Sequence, residues 1–207
     1  MRKRIYLWIL LIAAGTPLYG QSPSSTEDAT LGGYIKREAG VKHVVMAGAG
    51  AALNQANDTP SEWGQGVAGF GRRIASAFGK HIVHKTIQYP VSKLLHEELF
   101  YQRSNKQGFM PRMTYALEST VITHKTNTEQ RTIAVGELSG AFGSGLISRL
   151  WQPASVRSVG MGFASGAITL GVDAGMNEVK EFWPEIRHPR SHASLQTPEL
   201  ASPADVE

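Results

Sequence analysis

The chain has 207 residues, enough for one domain with a sizeable core. Hydrophobic residues at 42% and charged residues at 18% exclude a wholly disordered chain, and 22 glycines stand well above the usual ~7%. Cysteine is absent, which removes disulfides, thiolate metal sites and cysteine nucleophiles, and the formal charge is +4.

The chain opens on the basic stretch Met1-Arg2-Lys3-Arg4, followed by an apolar run of ten residues from Ile5 to Ala14. That run falls short of the ~20 residues needed to span a bilayer as a helix. Small and turn-forming residues follow at Gly15, Thr16, Pro17 and Gly20. The pattern predicts a secretory signal peptide over residues 1–20, and hence an exported protein of the periplasm or cell envelope. The segment carries three basic residues and no acidic one, so the remainder has 18 basic against 17 acidic residues and a charge of +1. No basic stripe is left on the domain, and nucleic acid is not expected as a partner. Residues 21–30 read as a flexible polar leader, residues 31–188 as the domain, and residues 189–207, with three prolines, as a disordered tail.

Within the domain the hydrophobic period predicts a first helix over 35–56. Thr59-Pro60-Ser61-Glu62 has the form of a capping box, so a second helix is expected from there to about Gln88, where Pro90 should break or kink it. A third segment, 91–102, carries Val91, Leu94, Leu95 and Leu99 at helical spacing, and a shorter helix is expected near 111–120. β-Branched residues at 120–125 and 130–135 flank a polar turn and predict a hairpin. Further helices are expected over 136–151 and from Ser155 to Phe182, the last stopping at Trp183-Pro184. The fold class is therefore all-α: a compact, glycine-rich helical bundle with one small β-hairpin near residues 120–135.

Each interior helix glycine costs about 0.8–1 kcal/mol relative to alanine, so close packing must offset the cost. At about 100° per residue, Gly160, Ala164, Ala167, Gly171 and Gly175 form one stripe of small residues. The same design places Gly71, Ala75 and Gly79 on the second helix, beside an inward face of Val67, Phe70, Ile74 and Phe78, and Gly140 and Gly143 on the fifth. These ten positions are the expected helix-packing residues, where another backbone approaches closely. On this reading Gly171→Leu overpacks an interface. The opposite face of the last helix, with Ser158, Ser165, Thr169, Asp173, Asn177 and Lys180, is expected to meet water. Its alternative is a buried polar seam pairing with Arg72, Arg73 or Arg149.

Small-residue spacing and tryptophans at Trp63, Trp151 and Trp183 resemble membrane habits. The longest charge-free stretch of the last helix, Ser158 to Val172, has only fifteen residues, which favours surface or partner contact over insertion.

The chemistry-bearing patterns are weak. Gly64-Gln65-Gly66-Val67-Ala68-Gly69 matches G-x-G-x-x-G, yet no strand precedes it and the glycines fall within a helix. His81 and His84 are i,i+3 neighbours, and His96 and Glu97 follow, without H-E-x-x-H spacing. The sequence thus nominates no catalytic, cofactor-binding or metal residue. Trp63-Gly64-Gln65-Gly66, His96-Glu97, the run Gly140 to Ser148 and Phe182-Trp183-Pro184 resemble an uncharacterised family of exported bacterial proteins. The resemblance covers most of 31–188, implies export and a single domain, and carries no activity.

The expected function is a structural or interaction role in the cell envelope, exercised through small-residue helix faces. Its partners would be a second copy, an envelope protein or a membrane surface. The alternatives are a hydrolase or metal-dependent enzyme using His81, His84, His96, Glu97 and Asp173, and a small membrane-embedded oligomer.

Overall fold

A computed structural model describes residues 30–187; the expected signal peptide, nearly all of the leader and the tail lie outside the described residues. Six helices and one hairpin make up this part: α1 (Leu31–Glu38), α2 (Val41–Ala56), α3 (Gly66–Leu95), α4 (Phe109–Glu118), β1 (Ile122–His124), β2 (Arg131–Ile133), α5 (Val135–Ile147) and α6 (Val159–Arg187). The strands pair antiparallel, Ile122 opposite Ile133 and His124 opposite Arg131. This is the all-α bundle with a single small hairpin that the hydrophobic periods predict. In the packing, α5 lies between α3 and α6, α2 packs on the other side of α3, α1 rests on α3 and α4 on α6.

Several boundaries differ from expectation for local reasons. The first helix divides at Ala39–Gly40, where Gly40 takes an extended conformation and caps α2. The second begins at Gly66, because Gly64 (φ 69°) and Gly66 (φ 81°) adopt left-handed backbone that ends the short turn Ser61–Trp63. That loop wraps a single buried cation. The Arg73 guanidinium, 1% exposed, donates to the carbonyls of Thr59 (2.9 Å), Gly64 (2.6 Å) and Pro60 (2.9 Å), to Gln55 Oε1 (2.5 Å) and to Asp58 Oδ1 (3.3 Å).

Neither internal proline ends its helix. α3 continues through Pro90 to a left-handed cap at His96. Gly140 sits against His84 and Gly136 against Ser92, so α5 splints α3 on both sides of the proline. α6 continues through Pro184, and Arg112 pairs with Glu181 and Glu185 (2.8 Å each), one turn apart and on either side of it.

The larger correction concerns which faces are inside. Val67 is 90% exposed, Leu94 78% and Ile168 66%, and Val159, Phe163 and Val172 are exposed as well. The buried apolar residues are small or aromatic: Ala47, Ala51, Ala116, Ala134, Ala141, Tyr34 and Tyr89. Beside them are buried Arg73, Ser76, His84, Gln88, Ser92, Asn177 and Glu181. On α6 the side bearing Asp173 and Asn177 therefore turns inward and the apolar side outward, the reverse of the expected arrangement. On α3 a buried polar row joins an apolar face of which Phe70, Ile74 and Phe78 are half-buried and Val67 is exposed.

The packing glycines divide accordingly. Gly140 and Gly143 face His84 and Ile87 as expected. Nothing lies within 4 Å of where a Cβ would stand at Gly71, Gly79, Gly160, Gly171 or Gly175, and Ala75, Ala164 and Ala167 are exposed. The expected stripe is thus the outer surface of α6, since its flanking apolar residues also face outward. Backbone contact runs instead through Gly145, Gly162 and Gly166. A Cβ on Gly145 would fall on the Gly162 carbonyl and 2.8 Å from the Gly166 nitrogen. Gly145→Ala is expected to lower stability by about 1–3 kcal/mol, because backbone atoms cannot move aside as a side chain can. Gly171→Leu should not lower the melting temperature of the purified chain and should raise it slightly, because its Cβ meets open space and glycine is the poorer helix former; paired thermal melts check both.

Candidate functional site

The inward faces of α3, α5 and α6 meet around Glu137, which α5 presents in its first turn. The glycines of α5 set this geometry: with no side chain at 136 and 140, α3 comes close enough for His84 and Gln88 to reach the carboxylate. His84 Nε2 lies 3.1 Å from Glu137 Oε1, although neither atom has a partner in hydrogen-bond geometry. Gln88 Nε2 donates to Glu137 Oε2 at 2.5 Å, and Lys85 Nζ lies 3.7 Å from the same oxygen. Gln88 Oε1 in turn accepts from Lys85 Nζ (2.8 Å) and from the Tyr34 hydroxyl (3.2 Å). Asp173 of α6 completes the group. His84, Glu137 and Asp173 each offer a donor atom within 4.8 Å of the others, and Asp173 Oδ2 is buried without a hydrogen-bond partner.

A second cluster lies where α1, α2 and α3 meet. Glu38 Oε2 is 3.3 Å from His43 Nε2 and 3.4 Å from His81 Nε2, and the two imidazoles stack at 4.6 Å between ring centres. Burial alone would push the Glu38 carboxyl up. The close contact of His81 and the positive charges of Lys85, His43 and His81 more than reverse this, and hold it at about 2.

On its other side Glu137 borders a cavity of about 100 Å³, into which Lys85, Asp173, Asn177 and Lys180 also project. The cavity is roofed by the segment after α3 and by the hairpin, both firmly held. Glu181, 0% exposed, accepts from Tyr101 (2.7 Å), Ser104 N (3.0 Å), Ser104 Oγ (2.6 Å) and Arg112 Nε (2.8 Å). Glu97 accepts from the backbone amides of Val135 and Gly136, 2.9 Å each, and so caps α5 from outside the helix.

Of the residues named for an enzymatic alternative, His84 and Asp173 converge on Glu137, and His81 joins the neighbouring cluster. Glu97 lines the cavity with its carboxylate committed to the α5 amides, and the exposed His96 closes α3. Asp173 and Asn177 do lie in a buried polar seam, but its members are Glu137, Lys85, Thr120 and Lys180, not the three arginines proposed. Arg73 is enclosed by its loop and Arg149 binds the carbonyls of Gly145 and Val156, while Arg72 is exposed. Glu137, Gln88, Lys85, Glu38 and His43 are absent from the sequence's nominations. The one signal for Glu137 was its place as an acidic residue inside an otherwise apolar helix.

Comparison with protein-family models, with curated proteins and with solved structures finds no match to this chain. The site's chemistry is carried by its own geometry.

A group held near 2 in the folded state and at 4.5 when unfolded adds stability that is complete above about pH 4.5 and is lost as pH falls towards 2. Glu38→Gln removes this contribution. The melting temperature of the variant should lie below that of the parent near neutral pH, and the gap should close on acidification, as read by parallel melts from about pH 6 down to about pH 2.

Proposed function

We propose that this chain is an integral membrane protein of the cell envelope, in which α2, α3, α5 and α6 form a lipid-facing shell around an ion-handling interior. The observation that carries this reading is the inverted polarity of the bundle. Large apolar side chains facing outward along α6, and at both ends of α3, cost free energy in water and none in hydrocarbon. A charged interior, conversely, suits a bundle whose outside is lipid, where ionisable groups turn inward, pair with one another and mark ion or proton sites.

Length supports the reading. The segment Val159–Ile186 has 28 residues and a mean hydropathy of 1.2 over its most apolar window, of which 11% is buried. The core helix of a water-soluble protein would have that window mostly buried. Among the described residues α6 is the one helix both long and apolar enough to cross; α3, at 30 residues and about 45 Å, has the length but carries Arg72, Arg73, Lys80 and Lys85 within it. α2 and α5 are shorter, and both pack on α3. Trp63 and Trp151 sit in the connections from α2 to α3 and from α5 to α6. The Trp151 indole donates to Ser76 (3.0 Å), the amphipathic placement favoured at a membrane interface. Exposed Arg72 lies within two turns of the start of α3, close enough to extend its guanidinium towards the headgroups.

The outward stripe Gly160–Ala164–Ala167–Gly171–Gly175 favours a second reading within the first, a membrane-embedded oligomer. In lipid, a small-residue face is where another helix associates by van der Waals contact.

Separation of the membranes of expressing cells, followed by an alkaline carbonate wash, tests the main reading. The chain should remain in the pellet and need detergent for release. Release by carbonate alone overturns membrane integration. Gly171→Leu, which leaves the fold intact, should reduce cross-linked dimer in the membrane if the stripe joins two copies; an unchanged cross-linking pattern removes that second reading.

A further inference from the structure

We infer that His84, Glu137 and Asp173 form a binding site for a divalent transition-metal cation of the zinc type. The three residues come from three helices, α3, α5 and α6, and their donor atoms lie within 4.8 Å of one another. Each carries a buried atom without a hydrogen-bond partner, namely His84 Nε2, Glu137 Oε1 and Asp173 Oδ2. Native interiors leave only a few such atoms per hundred residues, and here three gather around one small space. His84 is 2% exposed, so water does not compensate it.

The distances suit a metal better than a hydrogen bond. Bonds of about 2.0–2.1 Å to a tetrahedral ion place neighbouring donors roughly 3.3 Å apart. The 3.1 Å between His84 Nε2 and Glu137 Oε1 is close to this, in an orientation that makes no hydrogen bond. A proton shared between the two carboxylates would settle Glu137 and Asp173 and leave the imidazole nitrogen unpaired. A cation engages all three.

Charge points the same way. Two carboxylates and a neutral imidazole sum to −2, of which the Lys85 ammonium offsets one from the far oxygen of Glu137, which Gln88 also holds, leaving the site net negative. That second oxygen, fixed from outside, orients the first towards the site, as the outer partners of metal-binding carboxylates do. The imidazole selects zinc, cobalt or nickel over magnesium and calcium, which take all-oxygen sets. Three protein ligands leave a further position, and the cavity beside Glu137 and Asp173 gives it room. The Glu38–His43–His81 cluster has similar spacing, at 3.3 and 3.4 Å, but its imidazoles are partly exposed where His84 is buried, and the cavity beside Glu137 and Asp173 does not reach it.

The inference does not depend on the bilayer reading, and its test is made on the full chain in detergent. The chain is stripped with a chelator and titrated with Co²⁺, a visible-absorbing stand-in for Zn²⁺, and metal content is measured after removal of excess ion. One Co²⁺ per chain is expected, with absorption bands displaced by Zn²⁺ and not by Mg²⁺. Asp173→Asn and His84→Gln should weaken binding at least about ten-fold, with His43→Ala unchanged. Should either variant fail to fold, the parent gives an independent reading: Zn²⁺ should raise its melting temperature and Mg²⁺ should not. A folded parent chain that retains no Co²⁺ and melts alike with and without Zn²⁺ overturns the inference. So does binding that His43→Ala abolishes and Asp173→Asn leaves intact. Neither result bears on whether the chain resists a carbonate wash.

Discussion

The closeness of α5 to both of its neighbours determines most of what this molecule is. Gly136 and Gly140 admit α3, and Gly145 meets Gly162 and Gly166 of α6 with backbone against backbone. At those separations the inward side chains of three helices share one narrow space, and a single carboxylate, Glu137, is in reach of a histidine, a lysine, a glutamine and an aspartate. With larger residues at these positions the helices would stand apart and the same polar groups would each need water. The glycines thus act on the site indirectly, through distance.

The helix content, the hairpin and the order of elements were legible in the sequence because they depend on local periodicity and turn chemistry. The prolines misled, since a helix held on both sides by neighbours tolerates a lost hydrogen bond that would end an isolated one. The amphipathic division of α6 was also read correctly as a division, with Gly160, Gly171 and Gly175 on one side and Asp173 and Asn177 on the other. Its sign was not. Periodicity gives two faces and does not say which of them the neighbouring helices cover.

The site was half legible. His84 and Asp173 were marked by residue type, but nothing local links positions 84, 137 and 173, which meet only through the packing of α3, α5 and α6. Glu137 was visible as a lone acid in an apolar helix, a cost that called for a partner, yet its partners lie about fifty residues upstream and some thirty-five downstream. Glu97, chosen for its neighbour His96, serves instead to satisfy backbone amides, a use that its own sequence surroundings do not disclose.

The capping of α5 by Glu97 has a consequence for how the bundle is assembled. The first amides of α5 are satisfied from the connection that leaves α3, across 38 residues that include α4 and the hairpin. The cap on the leading turn of α5 therefore depends on that intervening excursion bringing Glu97 beside it. The segment roofing the chamber and the helix forming its wall are fastened by the same carboxylate, so any opening wide enough to admit a solute past Glu97 also loosens the start of the helix that bears Glu137. Entry to the chamber and the rigidity of its most charged wall are in this way mechanically joined.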